Sequence, residues 1–118
     1  MSPACHICDR RIPAVDYVQR VGVDAAGEPV WACHAHIGRC GCIVPLCRRS
    51  FKLERGASWD VKVMCGRHWR MAPKRMRDAT ARARRRALRS GWAPRESAAF
   101  VRLWMRTARA AIEATFGL

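Results

Sequence analysis

The chain has 118 residues and carries 23 lysines and arginines against nine aspartates and glutamates, a formal net charge of +14. That length fits one compact domain or two small modules, and modules this small often rely on metals or disulfides because their cores are limited. No segment is long and apolar enough to predict a membrane span. The charge favours a polyanionic partner, most often nucleic acid.

The cysteines number seven and lie mainly in close pairs with each other or with histidine. A disulfide scaffold needs an oxidising compartment, and nothing near the first residues resembles a secretory signal. We therefore expect a cytoplasmic protein, in which Cys-x2-Cys and Cys-x2-His pairs bind metal more often than they form disulfides.

Residues 1–39 predict an N-terminal zinc-binding module. Cys5 and Cys8 form one ligand pair, and Cys33 and His36 form a second pair. An alternating apolar run and a short return run between the pairs predict a hairpin. The two predicted strands cover residues 15–23 and 30–32.

Residues 40–72 repeat this plan and predict a second zinc-binding module. Cys42 and Cys47 form its first pair, and Cys65 and His68 form its second pair at the start of a helical segment. An internal duplication of one module is a plausible interpretation. The two strands predicted here cover residues 50–54 and 60–64.

Three cysteines and one histidine in two close pairs are the ligand set of a closed, tetrahedral zinc site. We therefore predict two Zn²⁺ ions per chain, each clipping two parts of the chain together. Two alternatives stay open: His34 competes with His36, and Cys40 competes with Cys42. Analogy with the Cys-x2-His pair of the second module favours His36.

Residues 73–118 predict an antiparallel pair of helices on the second module. Pro73 suits the first turn of a helix, Ser90 and Gly91 end it, and Pro94 opens the last helix. The apolar face predicted for the first of these helices comprises Met76, Ala79, Thr80, Ala83, Ala87 and Leu88. That of the last helix comprises Val101, Trp104, Met105, Ala108, Ile112 and Phe116.

Spacing and position also make predictions for single side chains. Arg109 and Glu113 are spaced to pair across one helical turn. Trp69 is expected beside the second zinc site and Trp104 in the helical pair, whereas Trp59, in a turn-rich stretch, is the tryptophan most expected to be exposed. The predicted fold is a small α+β zinc-binding protein: two treble-clef or zinc-ribbon-like modules in tandem, followed by the helical pair.

Residues 42–90 resemble a group of small zinc-binding proteins common in bacteriophages and prophages. The matching features are the Cys42-x4-Cys47 pair, the run from Met64 to Trp69, Pro73-Lys74, and Arg77-Asp78. The resemblance supports Cys42, Cys47, Cys65 and His68 as ligands and implies a phage or prophage origin, hence the cytoplasm of a bacterial host. It implies no activity, because the group is largely uncharacterised.

Catalysis is not expected from this ligand pattern. A catalytic zinc keeps an open coordination position, and four protein ligands at each site leave none. Treble-clef nucleases also need a general-base histidine and usually an asparagine, yet the chain contains no asparagine and its four histidines all lie in ligand motifs. We therefore predict neither enzymatic activity nor a small-molecule substrate.

The leading hypothesis is a regulatory nucleic-acid-binding protein, with the zinc modules as scaffold. Arginine predominates among the basic residues, and an Ala-rich, Arg-rich helix suits the major groove of duplex DNA, which we favour over RNA. The predicted phosphate contacts are Arg48, Arg49, Lys52, Arg67, Arg70, Lys74, Arg75, Arg77, Arg82, Arg85, Arg86 and Arg89.

The alternative hypothesis is an adaptor or inhibitor that docks on a host protein, such as a nuclease, a polymerase or a defence component. An acidic groove on such a partner would satisfy the same positive charge. An exposed tryptophan among the five in the chain would supply the anchor.

Overall fold

The structure, a computed structural model, describes residues 3–13 and 19–118. It is a small α+β fold with two antiparallel strand pairs followed by helices. Backbone contacts divide the chain into two compact units, residues 1–63 and residues 64–118. The sequence-based segments instead end at residues 39 and 72.

The first strand pair of unit 1–63 joins β1 (Arg20–Val23) to β2 (Pro29–Trp31) in an antiparallel hairpin. Asp24 organises the turn, because its Oδ1 accepts the backbone N–H groups of Ala26 and Glu28, each at 2.9 Å. The predicted hairpin is therefore present, although residues 15–18 of its predicted first strand lie outside the described residues.

The second strand pair differs from the prediction. β3 (Arg39–Gly41) pairs with β4 (Ser50–Lys52), so the loop that carries Cys42 and Cys47 is itself the turn of the hairpin. The strand predicted over residues 60–64 is wrong, because only an isolated bridge, from Val63 to Cys42, forms there. β4 makes its ladder with β3, and its other edge forms no ladder with residues 60–64.

The core of unit 1–63 is small and consists largely of candidate ligands. Buried Ile12 and Ala32 pack with Cys5 and Cys33, and Ile7, Cys8, Val21 and Trp31 pack partly against them. Such a cluster buries too little apolar surface to hold a fold of this size by itself. We therefore expect the stability of this unit to depend on a ligand that its cysteines could share.

Trp59 lies in this unit and is half-buried, not exposed as predicted. Its indole covers the backbone of Gly22 so closely that a Cβ at that position would overlap the ring. The His6 imidazole meets the same indole edge to face, with ring centroids 5.6 Å apart. The turn-rich sequence around Trp59 gave no sign of this, because Gly22 is distant along the chain.

Unit 64–118 consists of α1 (Gly66–Trp69), α2 (Lys74–Arg89) and α3 (Pro94–Thr115). Both long helices predicted from the sequence are confirmed. Pro73 precedes α2 as its N-cap, and Pro94 occupies the first turn of α3. α2 and α3 are joined by four residues and lie antiparallel.

Small side chains form the interface between the two long helices. Its buried residues are Thr80, Ala83 and Ala87 on α2 and Thr107, Ala108 and Ala111 on α3. The Thr80 and Thr107 hydroxyl oxygens are 2.8 Å apart, and the Thr80 hydroxyl also donates to the Met76 carbonyl at 3.0 Å. The other buried residues of this interface are alanines, so the Thr80–Thr107 hydrogen bond is the specific contact that aligns α2 with α3.

The apolar face predicted for α3 is partly wrong. Val101 is 54% exposed, and Met105 and Phe116 are exposed as well, as is Leu88 on α2. The packed face lies further round α3, where Thr107, Ala108 and Ala111 pack against the small residues of α2. Trp104 stacks on Trp69 of α1, with ring centroids 6.0 Å apart. The exposed apolar side chains form a stripe beside the packed face.

None of the described helices combines the length and the apolar character needed to cross a bilayer.

Candidate metal centres and a cationic helix

The first candidate metal centre comprises Cys5, Cys8, Cys33 and His36, whose ligand atoms all lie within 4.8 Å of one another. The His36 Nδ1 is 3.1 Å from the Cys33 Sγ and 3.6 Å from the Cys5 Sγ, and the Cys8 and Cys33 sulfurs are 3.9 Å apart. His34 is exposed and outside the group. These four residues could hold one metal ion.

The first ligand pair sits in a tight turn of the backbone. An antiparallel bridge between Ala4 and Arg11 closes the turn, and the Asp9 N–H donates to the Cys5 carbonyl at 3.0 Å. The Ile7 N–H lies 3.5 Å from the Cys5 Sγ. A backbone N–H directed at a sulfur stabilises the thiolate, which is the form that binds a metal.

The pKa values of the Cys5 and Cys33 thiols move in opposite directions. Burial raises the pKa of Cys5, but hydrogen bonds from the backbone of Cys33, Cys8 and Ile7 and from the His36 side chain outweigh it and lower the pKa to about 6. Burial raises the pKa of Cys33, and the neighbouring Cys5 thiolate raises it further. Crowded thiolates of this kind need a cation between them to be deprotonated together.

The second candidate centre comprises Cys42, Cys47, Cys65 and His68, again with all ligand atoms within 4.8 Å of one another. Cys65 is the N-cap of α1, which places His68 one turn later with its Nδ1 3.1 Å from the Cys65 Sγ. Cys40 is outside the group, because it lies in β3 and its thiol is 3.6 Å from the Phe51 carbonyl oxygen. These four residues could hold a second ion.

The first pair of each centre has the same backbone hydrogen bond. The Cys5 N–H donates to the carbonyl of Arg10, two residues after Cys8, at 2.9 Å. The Cys42 N–H donates to the carbonyl of Arg49, two residues after Cys47, at 3.0 Å. The two extra residues between Cys42 and Cys47, compared with Cys5 and Cys8, therefore lie within the loop and do not change this hydrogen bond.

The bridge to the second pair is also repeated. Cys5 forms a parallel bridge with Trp31, and Cys42 forms one with Val63. Trp31 and Val63 each lie two residues before the first ligand of the second pair, and each accepts a backbone N–H at 2.9 Å from the residue that follows the bridged cysteine. The repeat seen in the sequence thus extends to individual hydrogen bonds.

The two centres differ in the segment that comes after the histidine. After His36 a single turn leads to Gly38, whose φ of 73° is left-handed, and the chain enters β3. After His68 the chain runs through Trp69 to Pro73 and into α2. Only the second centre is followed by a long helix, as the sequence predicted.

α2 presents a cationic face opposite the alanine interface. At about 100° per residue, Arg82, Arg85, Arg86 and Arg89 share one side of the helix, and Arg75 lies on that side two turns earlier. All five are exposed. No acidic side chain in the described ranges forms an ion pair with any of them, since the ion pairs found there join Lys74 to Asp78 and Arg109 to Glu113.

The remaining predicted phosphate contacts are divided between the two units. Arg48, Arg49 and Lys52 are exposed in unit 1–63, and Arg67 and Arg70 are exposed in unit 64–118. Two of the residues predicted to contact phosphate on α2 instead interact with other groups of the protein.

One of these is Lys74, which pairs with Asp78 at 3.1 Å. The other is Arg77, whose Nε donates to the Ala72 carbonyl at 3.1 Å and caps the segment before α2. The predicted Arg109–Glu113 pair is confirmed at 3.1 Å.

Comparisons with known proteins place this chain in no described group: no family model, curated protein or solved structure matches it.

Proposed function

We propose that this protein is a zinc-stabilised nucleic-acid-binding protein with a regulatory, non-catalytic role. The observation that carries the proposal is the cationic face of α2, where five exposed arginines form no ion pair with any acidic side chain of residues 3–13 and 19–118. The two Cys3His groups would act as scaffold, because four protein ligands leave a bound ion no open position for chemistry.

Zinc is the metal that the ligand set and its spacing favour. With sulfur at about 2.3 Å and nitrogen at about 2.05 Å from a tetrahedral ion, neighbouring sulfurs are about 3.8 Å apart and sulfur and nitrogen about 3.6 Å apart. In the first group the Cys8–Cys33 sulfurs are 3.9 Å apart and the Cys5 sulfur is 3.6 Å from His36 Nδ1, as expected. The Cys33 sulfur is closer to the same nitrogen, at 3.1 Å, and would have to move outward to bind the ion. Thiolate and imidazole together suit Zn²⁺ better than the hard cations Mg²⁺ and Ca²⁺.

Two features of the second group support a treble-clef-like architecture: its first ligand loop is the turn of a hairpin, and its second ligand pair lies at a helix start. β3 and β4 flank the Cys42–Cys47 loop, and Cys65 caps α1. We therefore propose treble-clef architecture for this group. The first group would be a shortened version, since its chain turns at Gly38 and does not enter a helix.

Duplex DNA is the partner that the shape of α2 favours. The helix has 16 residues and is therefore about 24 Å long, and its charge lies along one side. The buried residues of α2 are small, namely Thr80, Ala83 and Ala87. They pack on α3, and the basic side of the helix stays exposed. Arginine forks bind phosphate oxygens in pairs and also contact guanine edges in the major groove.

The proposal is tested by fluorescence anisotropy of zinc-loaded protein with a random-sequence duplex and with RNA, across a salt titration. Affinity should fall steeply with salt, and Arg82→Gln/Arg85→Gln/Arg89→Gln should weaken binding and reduce the slope of log K against log salt by about 2.7, or 0.9 per lost phosphate contact. Absence of binding by the wild type at low salt would refute the proposal.

The matched control has the same net charge but removes three exposed arginines from α3, namely Arg102, Arg106 and Arg109. If affinity depends on the face of α2, this control should lose much less than the α2 variant. Equal losses would show that only total charge matters and would remove α2 from the proposal.

A second candidate function, docking on a protein partner, is favoured by the exposed stripe of Val101, Met105 and Phe116 on α3. Large exposed apolar side chains in a row are typical of interaction surfaces. Nuclease-treated lysate passed over the wild type and over Val101→Asp/Met105→Asp would test this function. Retention of the same proteins by both would count against it.

A further inference from the structure

Trp92, in the connection between α2 and α3, is the tryptophan that the fold leaves uncovered. It is 45% exposed. The other four are half-buried: Trp31 packs against the core of unit 1–63, Trp59 covers Gly22, and Trp69 stacks on Trp104. A large aromatic side chain at a helix connection is an unusual use of surface, because indole is strongly favoured in cores and interfaces.

The backbone holds Trp92 in a left-handed conformation, with φ 61°, directly after the left-handed Gly91. A residue with a bulky side chain seldom adopts this conformation. The Trp92 N–H donates to the Ala87 carbonyl at 2.7 Å, and the Trp92 carbonyl accepts the Ser97 hydroxyl at 2.9 Å. The connection therefore fixes the position of the indole instead of leaving it on a loose loop.

The indole of Trp92 has one ring contact among the described residues and is otherwise partly open to solvent. Phe100 contacts Trp92 with ring centroids 5.8 Å apart and planes at 71°, an edge-to-face arrangement. Such a contact uses at most one face of the indole. Within the described residues no other ring contact involves Trp92.

Trp92 has an arginine three residues away on each side along the chain. Arg89, at the end of the cationic face of α2, precedes it by three residues, and Arg95 follows it by three. Both are exposed, and the nearest acid along the chain, Glu96, lies in the first turn of α3, where it favours the helix N-terminus. A flat aromatic surface beside arginines matches a ligand with a π-face and a phosphate, which is a nucleotide unit with its base unpaired.

We propose that Trp92 stacks on an unpaired base next to a duplex, so that the protein prefers duplex ends, bulges or single-strand junctions to continuous duplex. This inference rests on the nucleic-acid binding proposed above and specifies its substrate. α2 contacts the phosphates of the duplex, and the connection at its C-terminal end receives the exposed base.

The test compares three labelled DNAs of one sequence: a blunt duplex, the duplex with a three-nucleotide overhang, and the duplex with a single-base bulge. RNA versions of the same three form a second arm. Wild-type protein should bind the overhang or bulge more tightly than the blunt duplex. Trp92→Ala should abolish that preference, a loss of about 5- to 150-fold on the junction substrates, while binding to blunt duplex changes less than twofold.

Two variants control the interpretation. Trp92→Phe keeps a stacking ring and should retain part of the preference. Val23→Ala removes an exposed apolar side chain of β1, which belongs to neither proposed binding surface, and it should change nothing. Metal content and thermal unfolding of each variant check that the fold is intact.

A direct readout places 2-aminopurine at the unpaired position. Its fluorescence should be quenched by wild-type protein through stacking and should recover with Trp92→Ala. Equal affinity for all three DNAs, or an equal loss on all three with Trp92→Ala, would overturn the stacking inference alone. Failure of the wild type to bind any nucleic acid would overturn the proposed function and this inference with it.

Discussion

The two Cys3His segments share a backbone design and differ in how the chain around them is stabilised. In both, the backbone N–H of the first cysteine donates to a carbonyl just after the second cysteine: Cys5 to Arg10, and Cys42 to Arg49. The same cysteine forms a parallel β-bridge with a residue just before the third ligand: Cys5 with Trp31, and Cys42 with Val63. The first segment lies in a unit whose buried core is half cysteine. The second is followed by α2 and α3, which bury a threonine and alanine interface of their own.

The same candidate ligand geometry is thus followed by two different kinds of chain. Where the chain turns back at Gly38, the ligands and the hairpins are the whole module. Where it runs on through Trp69 and Pro73, the same ligand geometry is followed by a basic helix. The position of one left-handed glycine and one proline thus separates a segment that continues into a strand from a segment that continues into a basic helix.

Metal removal should have the largest effect and should separate the two regions by their dependence on metal. Chelation should release two ions per chain and unfold residues 1–63, because structural zinc contributes about 10–16 kcal/mol to small modules. The α2–α3 pair should keep part of its helicity, since its interface contains no ligand. Metal analysis and circular dichroism during EDTA titration provide the measurement, and an unchanged melt after chelation would contradict the scaffold role.

Removing one centre at a time should sharpen the comparison. Cys33→Ser and Cys65→Ser should each bind one ion instead of two, and Cys33→Ser should leave the helical melt of α2 and α3 nearly unchanged. Cys40→Ser is the matched control, because Cys40 lies outside both groups, and it should still bind two ions. Loss of an ion in this control would mean that Cys40 is a ligand after all.

Thr80→Val should destabilise the helical pair by about 1–2 kcal/mol, because the buried Thr107 hydroxyl would lose its 2.8 Å partner and keep only the Met76 carbonyl, at 3.4 Å. The Thr80→Val/Thr107→Val double variant should be less destabilised than the sum of the single variants, since both partners are then apolar. Chemical denaturation followed at helical wavelengths measures the effect. Thr115→Val, which alters a hydroxyl nearer the end of α3, should cost less.

Gly38→Ala should have the smallest of these effects, a destabilisation of about 1 kcal/mol, because alanine resists the left-handed φ of 73°. The control is Gly66→Ala in the second segment. Gly66 is helical, and an added Cβ there would meet only the flexible Arg70 side chain at 3.9 Å, so we expect no loss or a small gain of stability. A larger cost for Gly66→Ala than for Gly38→Ala would reverse the proposed distinction.

Local patterns predicted much of this structure. The pair spacings selected the eight residues that the structure gathers into two groups, and prolines and glycine marked both long helices within a residue. Such signals depend on neighbours along the chain: ligand spacing, helical period and capping chemistry. The resemblance to phage proteins stays a prediction, since no comparison bears on it.

The sequence by itself determined the ligand pairs, the helices and the cationic face, because each depends on spacing within a few residues. Only the tertiary structure decided that β4 pairs with β3, that α3 buries Thr107 and not Val101, and that Trp92 is exposed while Trp59 covers Gly22. Each of these outcomes is a competition between distant segments for one packing surface. Such a competition is resolved by shape and hydrogen bonding between segments, which local periodicity does not encode.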